Sequence, residues 1–126
     1  MPMILGIGTD LLDVARMARE LEKDGAGFRD TVFTPSEIAY CEAKRYPARH
    51  FAARFAAKEA LFKALGGSAS GDFWHEVEIA RADDATPRLL LHGRMKEAAH
   101  RLGVTDVLLS LSHSDSLATA SVVLQG

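Results

Sequence analysis

The 126-residue chain holds one cysteine, Cys41, so no internal disulfide can form and a reducing compartment suits it. No apolar run approaches the about 20 residues of a membrane span. The start, "MPMILGIGTD", lacks the basic opening and longer apolar stretch of a secretion signal. Neither sign of charge dominates. A net charge of −2 makes no global case for nucleic acid or membrane as a partner. Linkers, internal repeats and low-complexity runs are absent. So are the zinc pattern HExxH, cysteine-rich zinc spacings and the phosphate loop GxxxxGK[ST], and "GIGTDL" does not complete GxGxxG. Two residues after Glu59 stands Leu61, where a metal-dependent nuclease commonly has lysine. Ser112, His113 and Asp115 crowd one turn, which does not by itself build a hydrolase triad. What remains is the expectation of one cytoplasmic domain, 1–126, with 48% hydrophobic and 25% charged residues, enough to bury a core.

Turn and cap signals divide the chain. "MILGIGTDLLD" reads as a strand ending near Asp10, and Asp13 can cap a helix over Val14–Lys23 that stops at Gly25. In "TPSEIAYCEAK", Thr34, Pro35 and Glu37 form a capping-box signature. Pro47 opens a long helix that ends at Gly66 and Gly67, and "GGSASGD" reads as a flexible loop. "HEVEIA" and "PRLLLH" are short strands around the turn-rich "RADDAT", and "GRMKEAAHRLG" is a short helix. "DVLLSLSHSDSLATASVVLQ" is two alternating strands around a polar turn near Ser112–Ser116. This order predicts an α+β domain, a small antiparallel sheet with helices packed on one face.

The long helix carries the chemistry. At about 100° per residue, Phe51, Phe55, Phe62 and Leu65 form one stripe, and Lys58 falls within it. Opposite lies an arc of Ala52, Ala53, Ala56, Ala57, Ala60 and Ala64, with Glu59 and Lys63 at its edge. Such a helix has little face left for water, and charge there is costly unless paired or ligated. One reading is an ion pair of Glu59 with Lys63 one turn on, which leaves Lys58 unexplained. The other is that Glu59 ligates a metal or moves a proton while Lys58 and Lys63 hold phosphates. Asp10, after the small residues of "GIG", is the candidate second carboxylate, and a pair of carboxylates plus water suits Mg²⁺. From Cys41 to Gly66 the chain is locally basic, with Lys44, Arg45, Arg49 and Arg54 as well, so an anionic ligand fits there.

Three segments together resemble one family. "GIGTDLLDVARM" (6–17), "FAARFAAKEALFKALG" (51–66) and "LSLSHSDSLATASVVL" (109–124) are similar to the holo-[acyl-carrier-protein] synthases, the small bacterial 4′-phosphopantetheinyl transferases. The resemblance implies transfer of phosphopantetheine from coenzyme A to a serine of apo acyl carrier protein, releasing adenosine 3′,5′-bisphosphate. It implies Mg²⁺ on Asp10 and Glu59, which with Lys63 form the catalytic set, and Glu59 or a water beside it as the base. Arg54, Lys58, Lys63, Gly66, His113 and Ser114 would contact coenzyme A. Arg16, joined by Arg19 and Lys23 on the same helix face and by Phe28 just beyond, would meet the acidic carrier protein.

Two departures stand out. "GGSASGDFW" replaces the usual glycine-rich "GTG" loop, and "ATPRL" replaces "GKP", which leaves Arg88 as a bare candidate. The family is typically a homotrimer with sites between subunits, and covering by neighbours would also account for the helix's missing wet face. The alternative readings are a catalytically silent module that holds coenzyme A or carrier protein, and a purely structural oligomer.

Overall fold

The structure, a computed structural model, describes residues 2–23, 25–66, 71–81 and 86–126. It is mixed α+β. The elements are β1 (Ile4–Asp13), α1 (Val14–Lys23), α2 (Gly27–Val32), α3 (Pro35–Glu42), α4 (Pro47–Ala64), β2 (Val77–Arg81), β3 (Pro87–Leu91), α5 (Gly93–Arg101), β4 (Asp106–His113) and β5 (Leu117–Gln125), with a 3₁₀ turn over Gly71–Glu76. The strands make two antiparallel sheets rather than the single one expected: β1-β5-β4, and the separate pair β2-β3. The expected loop through 67–70 and most of the turn at 82–85 lie outside the described residues.

Two other expectations shift. β1 does not stop near Asp10. β5 keeps pairing with it as far as Asp13 opposite Leu117, so Asp10 sits inside a strand, opposite Ala120. The helix over Val14–Lys23 forms as predicted, and its first amide, on Val14, donates to the Ser116 carbonyl at 2.9 Å. The short α2 carries no periodic pattern in "GFRDTV" and was not foreseen.

α4 crosses the three-stranded sheet and buries both of its flanks. The alanine arc faces the strands. A Cβ on Gly8 would collide with the Ala60 carbonyl, and one on Gly6 with that of Ala64, so helix and strand touch backbone to backbone. The phenylalanine flank packs under α2 and the 3₁₀ turn: Phe51 on Phe33 at 4.8 Å between ring centroids, Phe55 stacked on Trp74 at 5.2 Å, and Phe62 edge-on to Trp74 at 5.2 Å. β5 supplies the floor through its alternate residues Ala118, Ala120, Val122 and Leu124, all buried.

One ionic node ties the helices to the second sheet. The capping box forms as predicted, with the Thr34 amide donating to Glu37 Oε1 at 2.8 Å and the Glu37 amide donating to the Thr34 hydroxyl at 3.3 Å. The same Oε1 accepts from Lys58 Nζ at 2.8 Å, and Oε2 accepts from the Ile79 amide at 2.8 Å. Lys58 Nζ spends its other two protons on the carbonyls of Val32, 2.7 Å, and Trp74, 2.9 Å. Both side chains are fully shielded from solvent. Burial pushes the Lys58 ammonium below its ordinary range, and the Glu37 carboxylate opposes the shift. The expectation that Lys58 holds a phosphate is therefore corrected: its three donors are used inside the core.

Breaking a buried pair from one side leaves an uncompensated charge and costs about 3–5 kcal/mol. Lys58→Met should lower the unfolding free energy by an amount of that order in a urea titration. A loss below about 1 kcal/mol, the range of exposed pairs, would mean that the pair is not desolvated.

Candidate active site

Cross-strand partners share a face of a sheet. The register aligns Asp10, Ala120 and Leu111 in one row and Leu12, Ala118 and His113 in the next, two residues along each strand. Because Ala118 and Ala120 are buried beneath α4, Asp10 and His113 lie on the α4 side as well. The sequence pattern thus places one acid from β1 and one histidine from β4 along the same helix.

Asp10 meets the C-terminal half of α4. Lys63 Nζ donates to Asp10 Oδ1 at 2.8 Å and to the Thr9 carbonyl at 3.0 Å. The lysine therefore pairs with the strand carboxylate and not with Glu59, its neighbour one turn back. Glu59 is half-buried, and among the described residues it has no hydrogen-bond or ion-pair partner. Burial raises its proton affinity, the Asp10 carboxylate raises it further, and Lys63 partly offsets this. Asp10, Glu59, Arg16, Glu20, Phe28 and Phe55 all line one cleft of about 460 Å³. Phe28 is held there edge-on to Phe33 at 6.2 Å and beside Phe55 at 6.1 Å.

The N-terminal half of α4 builds a cationic neighbourhood. His50 and His113 pack edge to face with ring centroids 4.9 Å apart, and His50 also meets Tyr40 at 5.9 Å. Arg54 is 3% exposed, its guanidinium lies 4.1 Å from the Tyr40 ring centre, and its Nε makes no hydrogen bond. Lys44 and Arg81 flank the same ring at 4.6 and 5.1 Å. Burial, then the neighbouring His113, Arg54, Lys44 and Arg81, pushes His50 down to about 4, so it is neutral at physiological pH. Sequence reading missed Tyr40 and His50. The available signal was spacing, since His50 stands one helical turn before Arg54 and shares its side of α4.

Other candidates scatter. Arg19 and Lys23 are exposed on α1 but do not line the cleft that holds Arg16. Gly66, at φ +94°, terminates α4, and its amide donates to the Lys63 carbonyl at 3.0 Å. The Ser114 hydroxyl oxygen accepts from the amides of Ser116 and Leu117, at 3.3 and 3.2 Å, and so closes the β4-β5 turn. Arg88 lies in the separate two-stranded sheet opposite Ala80. No group of three or more His, Cys, Asp or Glu side chains that could hold a metal occurs among the described residues, and of the three acids lining the cleft, Asp10, Glu20 and Glu59, the two on the sheet–helix contact are Asp10 and Glu59.

The family described as the 4′-phosphopantetheinyl transferase superfamily matches residues 6–120. The chain belongs to this superfamily. Similar members include the holo-[acyl-carrier-protein] synthase of Koribacter versatilis, 42% identical over 98% of this chain and 99% of that protein. That of Desulforudis audaxviator is 46% identical over 98% and 95%. Among solved structures of the superfamily, the Neisseria meningitidis holo-[acyl-carrier-protein] synthase superposes with a TM-score of 0.88 at 31% identity, covering 97% of this chain and 98% of its own. The Helicobacter pylori enzyme, solved in complex with coenzyme A, gives 0.80 at 28% identity over 94% and 98%.

A histidine with depressed proton affinity makes the fold less stable in acid. The unfolded chain protonates near pH 6.5 while the native state does not until about pH 4, so native stability falls as pH drops through that window. Imidazole signals in a ¹H–¹⁵N titration should place the His50 midpoint near 4. A midpoint near the ordinary 6.5 would refute the burial argument.

Proposed function

We propose that this chain is a holo-[acyl-carrier-protein] synthase. It transfers 4′-phosphopantetheine from coenzyme A to a serine of apo acyl carrier protein and releases adenosine 3′,5′-bisphosphate. The observation that carries the reading is the Asp10–Glu59 pair in one cleft, with Lys63 on Asp10 and Arg16 beside them. The serine oxygen bonds to the β-phosphorus of the coenzyme's diphosphate. The bond from that phosphorus to the bridging oxygen breaks, the electron pair leaves with the nucleoside bisphosphate, and the hydroxyl proton must go to a base.

The donor set fits Mg²⁺. Two carboxylates are the kind of oxygen donors this hard cation takes alongside water and substrate phosphate. Asp10 and Glu59 would hold it, and when bound it neutralises charge on the diphosphate. Glu59, with raised proton affinity and no ion-pair partner among the described residues, suits the removal of the serine proton, directly or through a water. Lys63 supplies a mobile cation for phosphate oxygens. His113, exposed at the other end of α4, offers the coenzyme an imidazole, and the buried Arg54 adds positive charge to that end from its place against the Tyr40 ring. Arg16 meets the acidic carrier protein, and the exposed Arg19 and Lys23 extend that charge along α1.

A homotrimer accounts for the outer face of the main sheet. Ile7, Val123 and Leu108 form one row of that face, with Leu11 further along β1. Ile7 is 70% exposed, Leu11 63% and Leu108 51%, an apolar patch that neighbouring copies would cover. No helix among the described residues is long and apolar enough to cross a membrane, and a cytoplasmic location suits both substrates.

Intact mass spectrometry of an apo acyl carrier protein after incubation with coenzyme A, Mg²⁺ and this protein should show a gain of one phosphopantetheine. The gain should vanish with EDTA or with Glu59→Gln. In the same assay Arg16→Ala should raise KM for the carrier far more than for coenzyme A, and equal effects would remove Arg16 from the docking surface. No gain with any of several carriers would sink the transfer reading. Sedimentation equilibrium should give a trimer for the wild type and a monomer for Ile7→Lys, and a trimer that survives this change would exclude the sheet face as the interface.

A further inference from the structure

Lys63 holds the carboxylate that a metal would need. Its ammonium is bonded to Asp10 Oδ1 at 2.8 Å and anchored a second time on the Thr9 carbonyl at 3.0 Å. The two side chains differ in freedom. Asp10 is only 17% exposed and fixed in a central part of β1, whereas Lys63 is 53% exposed on a flexible stem at the open end of α4. Glu59, one turn away, has no such cation on it among the described residues. A hard divalent cation shared by Asp10 and Glu59 would stand within a few ångströms of that ammonium and compete for the same oxygen lone pairs. Like charges at that range repel strongly where solvent screening is reduced, and Asp10 is mostly covered.

The exposed lysine has more room to move than the mostly covered aspartate, so moving Lys63 resolves the conflict. It gives up two hydrogen bonds when it leaves, and it needs an acceptor of comparable strength. A diphosphate is such an acceptor, since hydrogen bonds between ionised partners are about twice as strong as neutral ones. We propose that Lys63 is a competing occupant of Asp10 which yields the carboxylate to the metal when the coenzyme's diphosphate takes up the ammonium. Metal and coenzyme A then bind cooperatively, and metal alone binds weakly. This rests on the reading of Asp10 and Glu59 as the metal ligands. The device keeps the site from loading metal before its substrate, and it delivers Lys63 to the diphosphate in the same step that seats the cation.

The test is a titration of Mn²⁺, a probe for the divalent cation, followed by the electron paramagnetic resonance signal of the free ion. It uses the full chain without carrier protein, with and without coenzyme A. For the wild type, coenzyme A should tighten Mn²⁺ binding by about tenfold or more, within the usual range for linked sites. Lys63→Met should bind Mn²⁺ alone at least about tenfold more tightly than the wild type, and the gain from coenzyme A should shrink accordingly. Lys63 is exposed, so the variant should fold, and far-ultraviolet circular dichroism checks this. Arg16→Met removes the cation that lines the cleft and has no bond to Asp10 among the described residues, and it should leave the Mn²⁺ affinity near that of the wild type. Equal affinities of wild type and Lys63→Met would overturn the competition, as would a gain in Arg16→Met as large as that in Lys63→Met. Glu59→Gln sets the baseline for Mn²⁺ held by coenzyme A alone. If wild type and Glu59→Gln do not differ under any condition, the metal-ligand reading itself falls and takes the proposal with it.

Discussion

The carbonyls of Ala60 and Ala64 rest on Gly8 and Gly6, and everything in the cleft depends on that contact. A side chain at either glycine would hold α4 away from β1. With both absent, helix and strand approach until backbone meets backbone, and residues that flank the contact are brought together across it. Asp10 lies two residues beyond Gly8 on the strand, and Glu59 and Lys63 border Ala60 and Ala64 on the helix. The "GIG" of β1 and the alanines of α4 are two halves of one device. Their smallness sets the distance at which two carboxylates and a lysine share a site.

The adjacent charges Lys58 and Glu59 have opposite fates because successive helical residues point about 100° apart. Lys58 turns under α2 and α3 into the Glu37 carboxylate and two carbonyls, where no water reaches it. Glu59 turns toward Asp10 and the cleft, half-buried and without an ion-pair partner among the described residues. The first charge fixes the rotation of the helix about its axis, and the second depends on that rotation for its position. Lys58 thus bears on the site only through the placement of Glu59.

Much of this was legible in the sequence where local chemistry decides the outcome. The Thr34–Glu37 capping box, the start of α4 at Pro47 and the β4-β5 hairpin all follow from residue types within a few positions of each other. The Asp10–Glu59 pairing was readable because the small residues around both acids signalled close approach. What escaped depended on distant partners. Lys58 finds Glu37 twenty-one positions away, and no periodicity announces that pair. Helical spacing offers Glu59 as one partner for Lys63, yet Asp10 on another element takes its ammonium. The division into two sheets likewise depends on which strand edges meet, which alternation within a strand does not encode.

The Lys58–Glu37 node also bears on how the chain acquires its structure during synthesis. Its hydrogen bonds reach Val32, Thr34, Trp74 and Ile79, so the set is complete only when the chain has been made past residue 79. Before that point the lysine and the glutamate can meet each other but not the groups that complete their coordination, and water remains the better solvent for both. α2 and α3, although emerging early, therefore gain the last bonds of this node, to Trp74 and Ile79, only once β2 has been made.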